Sequence, residues 1–179
     1  PGVGALSLFV LTSALPVLLI VYFAIQNRVR DGEGEDGAVE WYPLGRLLGW
    51  LTILALAAFV IAYLVFMGAE NGVRGATETY LRNVLGALQG EQADTAAIDQ
   101  LISTMAVVFP AVAAASWILM IVVNGVMAQK FLTASGNNLR PMPVYSETEG
   151  PVWPAAVVAF GALMTIFGGN AGFFGVNLM

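Results

Sequence analysis

Residues 100–129 are QLISTMAVVFPAVAAASWILMIVVNGVMAQ, a run of 30 positions without any Asp, Glu, Lys or Arg. A helix of about 20 apolar residues crosses the hydrocarbon core of a bilayer. Three more charge-free runs flank it, at residues 1–27, 47–69 and 150–179. Each of these runs is also long enough to cross a bilayer. The pattern therefore predicts an all-α fold, a polytopic bundle of transmembrane helices.

The four runs predict four membrane spans and the beginning of a fifth, all within a single membrane domain covering residues 1–179. The spans are placed at residues 3–25, 47–67, 104–128 and 154–167, with loops at 26–46 and 129–152. Proline removes a backbone hydrogen bond, so helix bends are expected at Pro16 and Pro110. The glycines and asparagine at 168–170 end the fourth span. Because the chain starts at Pro1 and stops in an apolar run, we expect a fragment of a longer protein.

The interval between the second and third spans contains a predicted amphipathic interfacial region at residues 75–103. Apolar residues recur there at the spacing of one helical face, first at Leu81, Val84, Leu85 and Leu88, then at Ile98, Leu101, Ile102 and Met105. Gly90 is expected to end the first helix and Asp94 to cap the second. Packing on neighbouring spans or on the bilayer surface is the simpler interpretation, and a gate or lid is the other.

Composition argues against several functional classes. The chain has no His and no Cys, which excludes disulfides, thiolate nucleophiles, Cys/His zinc sites and haem histidine ligands. Its 11% of charged residues compares with about 25% in soluble globular domains. The net charge of −5 argues against nucleic acid as a partner.

No catalytic constellation is apparent in the sequence, and no predicted span contains Asp, Glu, Lys or Arg. Glu33, Glu35 and Asp36 are the nearest thing to paired carboxylates, but they lie in a glycine-rich loop, whereas acid–base catalysis needs fixed groups. We therefore expect a non-enzyme with no catalytic residue, no cofactor and no metal.

Polar uncharged residues within the spans are the remaining candidates. Ser116, Met120 and Asn124 are spaced four residues apart and so share one face of the third span. An asparagine amide in hydrocarbon needs a partner, which is either another helix or a solute in a pocket. Thr52 is a weaker candidate, because its hydroxyl can bond to its own helix.

The distribution of basic residues predicts the orientation. Loops 26–46 and 129–152 contain five basic residues, Arg28, Arg30, Arg46, Lys130 and Arg140. The interval between the second and third spans contains only two, Arg74 and Arg82. Loops 26–46 and 129–152 are therefore predicted to be cytoplasmic.

Two motifs at loop edges resemble one protein family. They are Glu40-Trp41-Tyr42-Pro43 followed by Arg46, and Arg140-Pro141 followed by Trp153. Their order and spacing resemble a family of bacterial multi-pass inner-membrane proteins of unknown function, over about residues 41–154. That family is distantly similar to the substrate-binding components of energy-coupling-factor transporters. The resemblance implies a location in the bacterial inner membrane and a role in binding or transporting a small solute.

Two functions follow as hypotheses. The first is a non-catalytic small-solute binding or transport component, as the resemblance implies. The second is an accessory or structural subunit that packs, within the lipid bilayer, against a larger membrane protein complex. The direction of Asn124 distinguishes them, because it points either into a pocket of this chain or onto a foreign helix.

Overall fold

The computed structural model describes residues 2–29, 39–88 and 95–179, and most of them are helical. The α-helices are α1 (Gly2–Phe9), α2 (Leu15–Ala24), α3 (Leu44–Phe66), α4 (Gly72–Leu88), α5 (Thr95–Ala134), α6 (Trp153–Ile166) and α7 (Gly169–Leu178). The all-α prediction is confirmed in this part of the chain. The interpretations of Gly90, Asp94, Glu33, Glu35 and Asp36 concern residues outside the described ranges.

Two helices are long and apolar enough to cross a bilayer, Leu44–Phe66 and Ala96–Ala134. The regions of the first and fourth predicted spans contain shorter apolar helices, Val10–Ala24 and Trp153–Ile166. The prediction of four spans is therefore not supported. Both helices are shorter than the roughly 20 residues that cross a bilayer, and the predicted fourth span at 154–167 is itself below that length.

The chain divides into two compact units, and α3 and α5 each contribute a part to both. The first unit comprises residues 1–54 and 118–151. At its start, a π-helical segment, Val10–Ala14, separates α1 from α2. Pro16 lies in the first turn of α2 and has no N–H to donate to the preceding turn. A π-segment at this point is one of the ways in which a helix adapts to a proline.

A short antiparallel hairpin, formed by β1 (Asn27–Val29) and β2 (Val39–Trp41), joins α2 to α3 within the first unit. Asn27 pairs with Trp41, and the Tyr42 N–H continues the ladder by donating to the Gln26 carbonyl at 3.0 Å. The sequence analysis predicted only a loop at 26–46. Three-residue strands are too short to show the alternating pattern on which strand prediction depends.

The second unit comprises residues 55–117 and 152–179. Its small core lies where α4 meets the first half of α5 and consists of Leu81, Ile102 and Ala106, with Leu85, Ile98 and Phe109 packed against them. The two predicted amphipathic stripes thus pack on each other in part. Leu101 and Met105 stay exposed on the outer face.

The second unit also contains a helical hairpin formed by α6 and α7. Gly168 and Gly169 both have positive φ, 64° and 53°, which turns the chain sharply between the two helices. Residues 171–179, predicted to begin a fifth span, belong to α7 and pack back along α6. Phe174 stacks on Phe59 of α3 and meets Tyr63 edge-on, with ring centroids 5.4 and 5.0 Å apart.

Candidate functional site

The predicted polar face of α5 lies on the outside of the helix. Ser116, Met120 and Asn124 are all exposed. In the part of the chain that the structure describes, neither Ser116 nor Asn124 forms a hydrogen bond through its side chain. The face that the sequence singled out is therefore open to whatever surrounds α5.

Thr52 makes the local contact that its chemistry suggested. Its hydroxyl donates to the Leu48 carbonyl, one turn earlier in α3, at 2.9 Å. This bond satisfies the hydroxyl within its own helix, so nothing about Thr52 indicates a ligand.

Two residues of the family-like motifs, Tyr42 and Arg140, lie at the end of α2 together with Phe23 and Trp50, and we call these four residues the α2-end cluster. The Phe23 ring is stacked on both Tyr42 and Trp50, with centroids 5.3 and 5.4 Å apart. The Trp50 indole N–H donates to the Tyr42 hydroxyl at 3.0 Å. Tyrosine and tryptophan with a satisfied polar tip are typical of the membrane–water boundary.

Arg140 joins this cluster from the loop that follows α5. Its guanidinium donates to the carbonyl of Ala24, the last residue of α2, at 3.2 Å. A cation at this position neutralises the negative end of the helix dipole. The Arg140 carbonyl in turn accepts from the Gln129 and Asn138 side-chain amides at 2.8 and 3.2 Å. Burial lowers the pKa of Arg140 from its ordinary value, and Tyr145 opposes that shift.

The other motif residues occupy separate positions. Glu40 and Trp41 lie in β2, and Trp153 begins α6. Pro43 precedes α3, where its carbonyl accepts from the N–H groups of Arg46 and Leu47 at 3.1 and 3.3 Å. The side chains of Arg46 and Pro141 are exposed.

Sequence reasoning missed Asn177, a polar residue that is 8% exposed. Its carboxamide oxygen accepts from the Ala111 N–H at 3.0 Å, and its nitrogen donates to the Val107 carbonyl at 2.9 Å. Both groups belong to α5 beside Pro110. One signal was available, because the rule that an amide in an apolar helix needs a partner applies to Asn177 as well as to Asn124.

A groove of about 580 Å³ lies in the second unit, between the end of α3 and α4. Its lining includes the polar residues Glu70, Asn71, Thr79 and Asn83. Two ion pairs border this region, Arg74 with Glu78 at 3.0 Å and Arg82 with Asp99.

The chemistry available to these sites is recognition and packing. Within the described ranges, no group of three or more acidic residues is placed to hold a metal ion. Aromatic rings, amides and one guanidinium can bind and orient, but the α2-end cluster contains no nucleophile with an adjacent base. The chain matches no protein-family model, no curated protein and no solved structure.

Proposed function

We propose that this protein is a non-catalytic integral protein of the bacterial inner membrane that acts as an accessory or structural subunit, with α5 docking on another membrane protein. The observation that carries the proposal is the exposure of Asn124 on a long apolar helix. The side chain points away from the described part of its own chain. That is the direction expected if its partner is a foreign helix.

The apolar surface of the two long helices supports placement in a bilayer. Only 11% of the most apolar stretch of each helix is buried. The core helix of a water-soluble protein would be mostly covered, and an exposed apolar surface of this extent in water drives association. In lipid the same side chains are solvated by hydrocarbon.

The polar groups on α5 supply the reason for a protein partner rather than lipid alone. An amide without a partner in hydrocarbon costs several kcal/mol, by order of magnitude. Ser116 and Gly125, near Asn124 along α5, are also exposed. Small side chains permit close helix approach, and serine and asparagine can bond across the contact. We place loops 26–46 and 129–152 in the cytoplasm, following the distribution of Lys and Arg.

Site-specific crosslinking in native membranes tests the proposal. A photo-crosslinking residue, p-benzoyl-phenylalanine, is placed at position 124 or, as the control, at Leu119. Leu119 is 63% exposed and lies about 140° around the same helix. We expect a stoichiometric crosslink to another membrane protein from position 124 and none from position 119.

Substitution of Asn124 by leucine provides the energetic counterpart. Removing an interhelical amide bond should weaken the complex about 3- to 30-fold, as measured by native mass spectrometry of nanodisc samples over a dilution series. Equal crosslinking from positions 119 and 124, or an unchanged complex in Asn124→Leu, would contradict the proposal.

Small-solute binding is the second candidate, and the groove beside α4 favours it together with the family resemblance. Apart from Phe66 at the end of α3, the residues that line the groove lie outside the two candidate spans, and several of them are polar. A reproducible small-molecule adduct on the isolated protein, lost in Asn83→Leu and retained in Asn124→Leu, would favour this function over the accessory role.

A further inference from the structure

The carboxamide of Asn177 bonds to the backbone of α5 through both of its ends. Its oxygen accepts from the Ala111 N–H and its nitrogen donates to the Val107 carbonyl. The nitrogen also donates to the Phe173 carbonyl of its own helix at 2.9 Å. Asn177 therefore connects α7 to α5 through directed hydrogen bonds rather than through shape alone.

Pro110 explains why the Ala111 N–H and the Val107 carbonyl can bond to a side chain from another helix. Proline has no N–H for the Ala106 carbonyl, and its ring pushes against the preceding turn, which loosens the helix at that point. Val107 and Ala111 are four residues apart, so in a regular α-helix they are each other's hydrogen-bond partners. Asn177 bonds to the pair next to the weakened position.

The two helices that Asn177 connects, α5 and α7, are each packed closely against a further helix. Beside Pro110, Ile102 and Ala106 of α5 are buried against Leu81 of α4. On the other side, α7 is packed closely on α6, since a Cβ atom on Gly161 would lie 2.8 Å from the Gly175 carbonyl oxygen. A bend at Pro110 would therefore have to move α5 relative to a hairpin that cannot easily deform.

We infer that Asn177 and the turn of α5 at Pro110 form a two-state clasp that couples the α6–α7 hairpin to the curvature of α5. In the closed state, the carboxamide bonds to Val107 and Ala111, as in this structure. In the open state, Asn177 withdraws and these two backbone groups bond to each other alone, which straightens the helix. In both states the Ala111 N–H and the Val107 carbonyl are paired, so the change leaves neither of these two backbone groups without a partner in an apolar environment.

Distance measurements across Pro110 test the clasp in nanodiscs. The chain has no cysteine, so spin labels can be attached specifically at Leu101→Cys and Ala115→Cys, on exposed positions about 21 Å apart along a straight helix. We expect one narrow distance distribution in the otherwise unchanged chain. Asn177→Leu, which keeps the branching at Cγ but loses the hydrogen bonds, should raise the ratio of a second, longer-distance population to the first about tenfold, which corresponds to about 1.4 kcal/mol.

A double substitution separates the clasp from simple loss of packing. In Pro110→Ala the backbone N–H is restored and α5 no longer needs the carboxamide, so adding Asn177→Leu should leave the distance distribution unchanged. An unchanged distribution in Asn177→Leu alone, or an equal change in both backgrounds, would overturn the clasp.

Hydrogen exchange of the unsubstituted protein provides a test that does not depend on whether the variants fold. The Asn177 side-chain amide protons, which bond to the Val107 and Phe173 carbonyls in the closed state, should exchange slowly and only through opening. The Ala111 amide should stay protected, because it bonds to the Val107 carbonyl in the open state. Exchange of the Asn177 side-chain protons as fast as those of the exposed Asn124 would overturn the clasp. This inference concerns the second unit alone and does not rest on the partner proposed for Asn124.

Discussion

Gly45 controls how closely the loop after α5 approaches the start of α3. It is buried, and a Cβ atom built on it would overlap the backbone carbonyl of Glu149. The Glu149 carbonyl is part of the backbone, so it cannot rotate away from a new Cβ atom as the end of a long side chain could. The glycine is thus required by contact with a residue that is distant in sequence.

Gly45→Ala should destabilise the first unit by about 2 kcal/mol, because the loop at Glu149 must move to admit the methyl group. The measurement is the thermal midpoint followed by circular dichroism in a mild detergent. Gly125→Ala is the matched control, since a Cβ there meets nothing within 4 Å. Alanine's helix propensity should leave that variant unchanged or slightly more stable, and equal losses in both variants would refute the contact.

At the scale of elements, the α6–α7 hairpin depends on glycines at the helix contact. A Cβ on Gly175 would lie 2.7 Å from the Thr165 nitrogen and 2.8 Å from the Met164 Cβ, and it would also overlap the Gly161 carbonyl. Gly172, one turn earlier in α7, is different, because its nearest neighbour would be the Thr165 oxygen at an ordinary 3.5 Å. Of these two glycines, only Gly175 lies where the helices are too close to admit a Cβ atom.

We expect Gly175→Ala to loosen this hairpin and Gly172→Ala to preserve it. The first change should cost about 1–3 kcal/mol, as overpacking of a close contact does. Limited proteolysis near Gly168 reports the loosening directly, with faster cleavage expected in Gly175→Ala only. Similar cleavage rates in both variants would show that the two helices do not meet at Gly175.

At the scale of the whole molecule, the side of the membrane on which each loop lies follows from basic residues. Lys130 and Arg140 flank the end of α5, whereas the exposed turn at Asn71 follows α3. If α3 and α5 cross the bilayer, as proposed, Ser135 and Asn71 lie on opposite sides. The absence of cysteine makes single-cysteine labelling free of background.

In intact bacterial cells, an impermeant thiol reagent should label Asn71→Cys, whereas Ser135→Cys should react only after the membrane is permeabilised. The physical reason is retention of Lys and Arg on the cytoplasmic side. Labelling of both positions in intact cells would contradict the proposed crossing, and the reverse pattern would invert the proposed orientation.

Much of the local structure follows from the sequence alone. Long runs without charge predict apolar helices, because a backbone surrounded by apolar side chains must satisfy its own hydrogen bonds. The spacing of Leu81 and Leu85, and of Ile98 and Ile102, also predicted the faces that pack between α4 and α5. Periodicity reports such faces because it is a property of neighbouring residues in one helix.

Tertiary structure decided which side chains meet. Asn124 and Asn177 are both polar residues within apolar stretches, and the local sequence does not distinguish them. In the structure, however, Asn124 is exposed and Asn177 is buried against the turn of α5 that contains Pro110. The bonds from Asn177 to Ala111 and Val107 span 66 and 70 positions along the chain. Local periodicity contains no information about contacts at that separation, because they depend on how the turn at Gly168 and Gly169 returns α7 along α6.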